Sequence, residues 1–347
     1  MGSPNARGFS IVAGVLAFLI AGHGATAGPT LDKIKAAATL TCGVSTGLAG
    51  FSVADQQGQY TGLDAEICRA IAAAVLGDAK KVKYVPTTGQ NRFTALQSGE
   101  IDMLARNTTA TLTREADLGF NFAPVTYYDG QGFMVPKKLG VKSAKELNGA
   151  TICVSQGTTT ELNLADYFRT NKLEMKPLVI EKLDEVENAY FSGRCDVYTT
   201  DASALYATRS ANVPPPAKVE DFVILPEIIS KEPLGPLVRH GDNQFGDIVR
   251  WAQYAMIEAE ENGISQKNVD DMLKSENPTI KRILGVTPGM GKALGVDEKW
   301  VYNIVKQVGN YGEVFEKNVG SGSPLKIDRG LNKLWTQGGL QYAEPIR

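Results

Sequence analysis

Three stretches of this 347-residue chain carry side chains able to hold opposite charges at fixed spacing. The run LARNTTATLTRE (104–115) follows the apolar IDML and ends near Arg114, whose planar guanidinium matches a carboxylate through two parallel hydrogen bonds. Thr109 and exposed backbone amides can complete that carboxylate's acceptors. Asp201 follows the apolar DVY and offers the opposite charge, suited to an ammonium. In QGTTTELN, Gly157 and Thr158 to Thr160 precede a helical pattern, so the free amides of a helix N-terminus favour an anion there. Taken singly, each has an ordinary explanation: the threonines cap a helix and Arg114 is a solvated charge. Together, an Arg and a helix N-terminus for one carboxylate, with an Asp for one ammonium, describe a zwitterionic amino acid.

Those residues can meet only if strands end at a common edge, because ligands of open parallel sheets bind beyond the strands' carboxyl ends. Strand-like TLTCGVS is followed by GLDAEICRAIAAAVLG, with Ile67, Ala70, Ile71 and Ala74 at helical spacing and Gly77 suited to a C-cap. KVKYVPT, the short helix NRFTALQSG and IDMLARNTT come next. This βαβαβ order predicts an α/β fold with a mostly parallel sheet flanked by helices.

A near-repeat then appears. LQSGEIDMLARNTT and YFSGRCDVYTTDAS share Ser-Gly-x-x-Asp at an offset of 94, pairing Ser98 with Ser192, Gly99 with Gly193 and Asp102 with Asp196. Two lobes of similar topology are expected. Extended crossings at 124–138 and 224–242 bound a middle segment, so the chain is expected to leave lobe 1, build lobe 2 and return. Lobe 1 is then discontinuous, 28–130 plus 235–347, and lobe 2 is 131–234. After the return, Ile248, Trp251, Ala252, Ala255, Met256 and Ala259 mark one helix face that should pack on lobe 1. The Gly-rich region 275–347, with Trp300, Tyr302, Tyr311, Phe315, Leu334 and Trp335 as apolar anchors, reads as an extension wrapped on lobe 1.

The composition is that of an ordinary globular protein, 43% hydrophobic and 21% charged, and a formal net charge of −2 gives no cause to expect nucleic acid. Residues 1–27 combine Arg7, the uncharged GFSIVAGVLAFLIAG and the small residues ATA, a signal-peptide pattern with cleavage near Ala27. Removing Arg7 leaves 35 basic against 38 acidic residues, or −3. Export makes the four cysteines plausible disulfide partners. Of three connectivities, Cys42 with Cys68 and Cys153 with Cys195 keeps each bridge inside one expected lobe. No Cys-x-x-Cys, metal cluster or nucleotide motif is present, so no cofactor is expected.

The stretches CGVSTGLAGFS, NRFTALQSGEIDMLARNTT, LTRE, ICVSQGTTTE, CDVYTTDAS, GNYGEVFEKNVG and RGLNKLWTQGGLQYA resemble the amino-acid-binding proteins of bacterial ABC importers, solute-binding family 3. The last of them points to the longer, general L-amino-acid-binding branch. The resemblance covers residues 28–347. It implies the two-lobed, type II periplasmic-binding-protein (Venus-flytrap) fold, hinged at 129–132 and 230–236, open when empty and closed on ligand. By the same resemblance Arg114 clamps the α-carboxylate beside Thr109 and the Thr159 amide. Asp201 holds the α-ammonium with the Asn107 carbonyl and the Thr109 hydroxyl, and Phe51 covers the ligand. Arg92 faces the ligand side chain, while Arg106 lines the pocket or forms a salt bridge. Ala110 departs from the Trp usual there and leaves volume beside the pocket. The implied partners are an L-amino acid, broad in range or favouring glutamate and aspartate, and an inner-membrane permease. A periplasmic monomer is expected, without enzymatic activity.

Two rivals share this scaffold. A cyclohexadienyl-dehydratase-like enzyme needs a general acid over a leaving hydroxyl, and past the signal segment the one histidine, His240, lies in the return crossing. A ligand sensor of this fold usually continues into a membrane helix, and this chain ends at QYAEPIR.

Overall fold

In the computed structural model, residues 1–2 and 28–347 are described; the segment read as a signal peptide lies almost wholly outside them. Two five-stranded sheets dominate. The first runs Val82–Thr87, Leu40–Ser45, Met103–Leu104, Leu237–Arg239 and Phe120–Phe122; the second runs Met175–Ile180, Ala150–Ser155, Val197–Asp201, Gln131–Pro136 and Phe222–Ile224. In each, the fourth strand alone is reversed relative to its neighbours. In the first sheet that strand comes from the return segment, and in the second from the first crossing. Each sheet therefore takes its reversed strand directly from a crossing.

The Ser-Gly-x-x-Asp recurrence has a physical basis in both lobes. Gly99 and Gly193 each sit at φ 79°, where a side chain is strained, and reverse the chain after a helix. The Asp102 carboxylate accepts from the Thr41 amide and the Asp196 carboxylate from the Thr151 amide, each at 2.8 Å. Both thereby tie the third strand of the sheet to the start of the second. Ser98 and Ser192 donate back to the Ala95 and Ala189 carbonyls, closing the preceding helices alike.

Disulfides join Cys42 to Cys68 and Cys153 to Cys195, with Cα separations of 6.1 and 5.7 Å. The first links the second strand of one sheet to the helix Leu63–Leu76 that covers it; the second links the corresponding strand of the other sheet to the turn after Leu183–Phe191.

The C-terminal region is more than a wrapping. Trp300–Gln307 and Tyr311–Asn318 are helices whose buried Trp300, Val301, Ile304, Val305, Tyr311, Val314 and Phe315 join one core with Leu63–Leu76 and Asn243–Glu261. Two expected anchors differ. Trp335 is 51% exposed and Tyr302 only half-buried, because each directs a polar tip outward, to Glu261 and Asp270 respectively. Arg329 pairs with Glu260 and lies over Tyr311 and Phe315, fixing the later part of the extension.

The crossings pair with each other as the short strands Tyr127–Asp129 and Glu232–Leu234. On one side of this ribbon runs the segment Thr108–Ala110, where the Ala110 amide donates to the Pro233 carbonyl at 2.9 Å and the Gly235 amide to the Thr108 carbonyl at 3.0 Å. On the other side, the Asn332 side chain accepts from the Tyr128 amide at 2.7 Å and donates to its carbonyl at 3.2 Å.

Candidate functional site

The segment from Met103 to Arg114 leaves the first sheet at its middle and must turn sharply to reach the ribbon between the lobes. Asn107 makes that turn at φ 26°, a region asparagine tolerates better than most residues, and its amide donates to Asp64 Oδ2 at 2.8 Å. A single π-turn over Thr113–Asp117 then swings Arg114 back into the interior, 7% exposed. One terminal nitrogen of Arg114 donates to the Thr109 carbonyl at 2.7 Å, and the guanidinium carbon lies 5.1 Å from the Phe93 ring centre.

Arg92, 2% exposed, packs over the same ring at 4.7 Å. It donates to Thr108 Oγ1 at 3.3 Å and, across the cleft, to the Gly157 carbonyl at 3.4 Å, while its Nε has no partner. Arg106 donates through Nε to the Thr87 carbonyl at 3.0 Å. Among the described residues, none of these three arginines has a carboxylate within 4.0 Å. The salt-bridge alternative for Arg106 is therefore not realised. Burial lowers the pKa of all three, Arg106 and Arg114 to about 10, and both remain charged at neutral pH.

Asp201 ends the strand Val197–Asp201 and is 5% exposed. Burial raises its pKa well above the usual carboxylate range, and the nearby Asp129 and Glu232 charges add to the effect. The Asn107 side-chain amide donates to it from the opposite lobe at 3.2 Å, leaving the buried Asn107 Oδ1 without a partner. Phe51 is 1% exposed, meets the Tyr127 ring edge-on at 5.5 Å and belongs with it to the core of the first lobe.

Lobe 2 presents the N-terminus of Thr159–Thr170. The Thr158 hydroxyl accepts from the Glu161 amide at 3.2 Å and donates to the Ser155 carbonyl at 2.7 Å, so it is occupied by the helix cap. The Thr159 amide, at the first helical position, has no acceptor within the helix. Thr159 Oγ1 lies 3.3 Å from Thr109 Oγ1 of the other lobe.

One residue of this cluster is invisible in the sequence pattern. Glu232, 1% exposed on the ribbon, receives hydrogen bonds from Thr109 and Thr159 on Oε2 and from Asn163 and Ser230 on Oε1. In the sequence it sits beside Lys231 in an extended crossing and reads as a solvated charge. Only the flanking Pro233 and Leu234, unusual neighbours for an exposed strand, hint otherwise.

The lobes meet where Gly89 faces Gln156 and Gly157. A Cβ on Gly89 would stand 2.7 Å from the Gln156 carbonyl oxygen, so the backbones approach as closely as they do because residue 89 has no side chain. Thr88 adds a hydrogen bond to Glu181 across the same seam at 3.1 Å.

The resulting cluster holds cations without paired anions beside buried carboxylates without paired cations. A ligand bearing both charges supplies what each lacks.

Comparison with known proteins places this geometry among relatives. Residues 40–273 match the family described as bacterial extracellular solute-binding proteins, family 3. The General L-amino acid-binding periplasmic protein AapJ of Rhizobium johnstonii is 59% identical over 333 residues, 95% of this chain and 96% of that protein. The Glutamate/glutamine/aspartate/asparagine-binding protein BztA of Rhodobacter capsulatus is 54% identical, covering 96% and 97% respectively. A solved ABC transporter periplasmic binding protein from Brucella ovis with glutathione bound superposes with a TM-score of 0.89 at 56% identity, covering 92% of this chain and 99% of that one.

Proposed function

The chain belongs to the bacterial extracellular solute-binding proteins, family 3, and from that premise we propose that it is the periplasmic receptor of an ABC importer for L-amino acids. The observation that carries this reading is Arg114: buried, charged, without a carboxylate partner among the described residues, and within electrostatic reach of Asp201. A buried charge without a partner is costly, and a ligand α-carboxylate supplies one. Arg114 and the Thr159 amide hold that carboxylate, and Asp201, Asn107 and Thr109 hold the α-ammonium. Arg92 and Arg106 face the side chain, which favours acidic or polar ligands, and Phe51 covers the apolar part.

Lobe 1 comprises 28–130 and 235–347, lobe 2 comprises 131–234, and they turn about 129–132 and 230–236. Closure is favoured because only the closed state brings Arg114 and Asp201 to the same ligand. The closed form delivers the ligand to a membrane permease, and residues 1–27 direct export and are removed. Binding without turnover agrees with the relatives, which are named as binding proteins.

The Brucella neighbour favours a second, wider ligand range. Glutathione carries a free α-amino and α-carboxylate group at its γ-glutamyl end, so the same clamp serves it if the cleft admits the rest. Thermal unfolding of ligand-stripped protein against L-amino acids, D-enantiomers, glutathione and prephenate tests both. A ligand at 100 times its dissociation constant adds about 2.7 kcal/mol of stability. Shifts with L-forms and none with D-forms support the receptor, a shift with glutathione widens it, and a shift with prephenate alone overturns it.

A further inference from the structure

Glu232 lies outside every role assigned so far, although four donors converge on it from three directions. Thr109 reaches Oε2 from lobe 1 at 2.5 Å and Thr159 reaches the same oxygen from lobe 2 at 2.8 Å. Asn163 Nδ2 and Ser230 Oγ reach Oε1 at 2.7 and 2.6 Å. Ser230 Oγ also accepts from the Gln131 amide at 3.2 Å, which directs its own proton toward the carboxylate. Asn163 Nδ2 can only donate. Glu232 is thus fixed as an acceptor on both oxygens.

A threonine hydroxyl has one proton and two lone pairs, and a carboxylate oxygen accepts only. Once Thr109 and Thr159 have turned their protons to Glu232, their oxygens present lone pairs alone to the cleft. The 3.3 Å contact between the two hydroxyls then carries no proton of its own.

We infer that Glu232 is a specificity-determining residue that sets the polarity of the binding hydroxyls, making Thr109 an acceptor for a ligand ammonium and denying its proton to a ligand oxygen. This inference rests on the amino-acid reading above and deepens it. It explains how a hydroxyl beside Arg114, where a carboxylate is gripped, is reserved for the ammonium instead. The ligand class selected is an α-amino acid over the hydroxy acid of the same shape. Glu232 does this without touching the ligand, so it acts as a positioning residue.

The test compares L-glutamate with L-2-hydroxyglutarate by calorimetry and competition on wild type and Glu232→Gln. The Gln amide donates, so the Thr109 proton is freed toward the cleft. The expected result is a loss of glutamate affinity of about ten-fold or more, with 2-hydroxyglutarate unchanged or improved. Adding Thr109→Val to Glu232→Gln should cost glutamate little further, since both changes remove one interaction. Equal losses for the two ligands would mean that Glu232 only joins the lobes, and fully additive losses or no loss would equally overturn the inference. Should Glu232→Gln not fold, Thr109→Val alone decides: it must weaken glutamate and spare 2-hydroxyglutarate. If the wild type binds no L-amino acid, the receptor reading fails before this question is reached.

Discussion

The Asn107 side chain of one lobe donates to the Asp201 carboxylate of the other at 3.2 Å. That bond places a neutral amide where an ammonium would be the stronger partner. A charged donor outcompetes it because charge-assisted hydrogen bonds are roughly twice as strong as neutral ones. Asn107 thus joins the two lobes through a bond that a charged donor would displace.

Proton release should accompany binding. Burial, with the nearby Asp129 and Glu232 charges, raises the Asp201 pKa and so shifts the carboxyl toward its protonated form relative to an exposed aspartate. A ligand ammonium favours the ionised form and expels the proton. Near neutral pH, the apparent binding enthalpy of L-glutamate should vary linearly with the ionisation enthalpy of the buffer. Asp201→Asn should abolish that dependence and weaken binding at least ten-fold. A wild-type enthalpy independent of buffer would show Asp201 already ionised.

Arg114→Lys should bind nearly as poorly as Arg114→Ala. An ammonium keeps the charge but loses the fork that can serve the Thr109 carbonyl and a carboxylate together. Both variants should lose about a hundred-fold in affinity, while their ligand-free melting temperatures stay at or above that of wild type, since a buried unpaired charge has been moved or removed. Rescue by lysine would reduce Arg114 to a point charge.

Gly89→Ala should separate closure from folding. Residue 89 has no need of the left-handed region, so alanine causes no backbone strain there, but its Cβ would meet the Gln156 carbonyl. The lobes must stand slightly apart to admit it. Ligand affinity should fall several-fold with ligand-free stability unchanged, and small-angle scattering of the liganded form should show a larger radius than wild type. Unchanged affinity would mean that the seam gives way elsewhere.

Ligand-free stability should decline as pH rises across the weakly acidic range. Burial raises Asp64 to about 7, so between the ordinary carboxylate pKa and about 7 the folded state holds a proton that the unfolded state has lost. Asp64 thus contributes a fall in stability with rising pH of up to ~1.4 kcal/mol per unit, a contribution that levels off above about 7. Asp64→Asn keeps an acceptor for the Asn107 amide and should flatten that slope. Chemical denaturation of both proteins from pH 4.5 to 8 measures the difference.

The placement of Thr109, Arg114 and Asp201 at or just beyond strand ends was legible, because hydrophobic patterning shows where a strand gives way to polar residues. The recurrent Ser-Gly-x-x-Asp was legible for the same reason, since each letter performs a local task a few residues from its neighbours. Glu232 was not, because its burial comes from Thr109, Thr159 and Asn163, all distant in the chain. Nor was the use of the Thr158 hydroxyl, which helix capping and ligand binding would both explain until its two partners are seen. The helices after residue 290 were hidden by short length and frequent glycine, although Trp300 and Tyr311 marked where they bury their faces.

Asn332 bears on a different hazard. A two-stranded ribbon has open edges, and an unpaired edge is a template on which a second chain can add a strand. The segment Thr108–Ala110 covers one edge of the ribbon between the lobes. On the other, a single side-chain amide answers both backbone groups of Tyr128 as a neighbouring strand would. The C-terminal extension thereby covers the second edge of the ribbon, and a chain truncated before Asn332 would leave that edge open to an added strand.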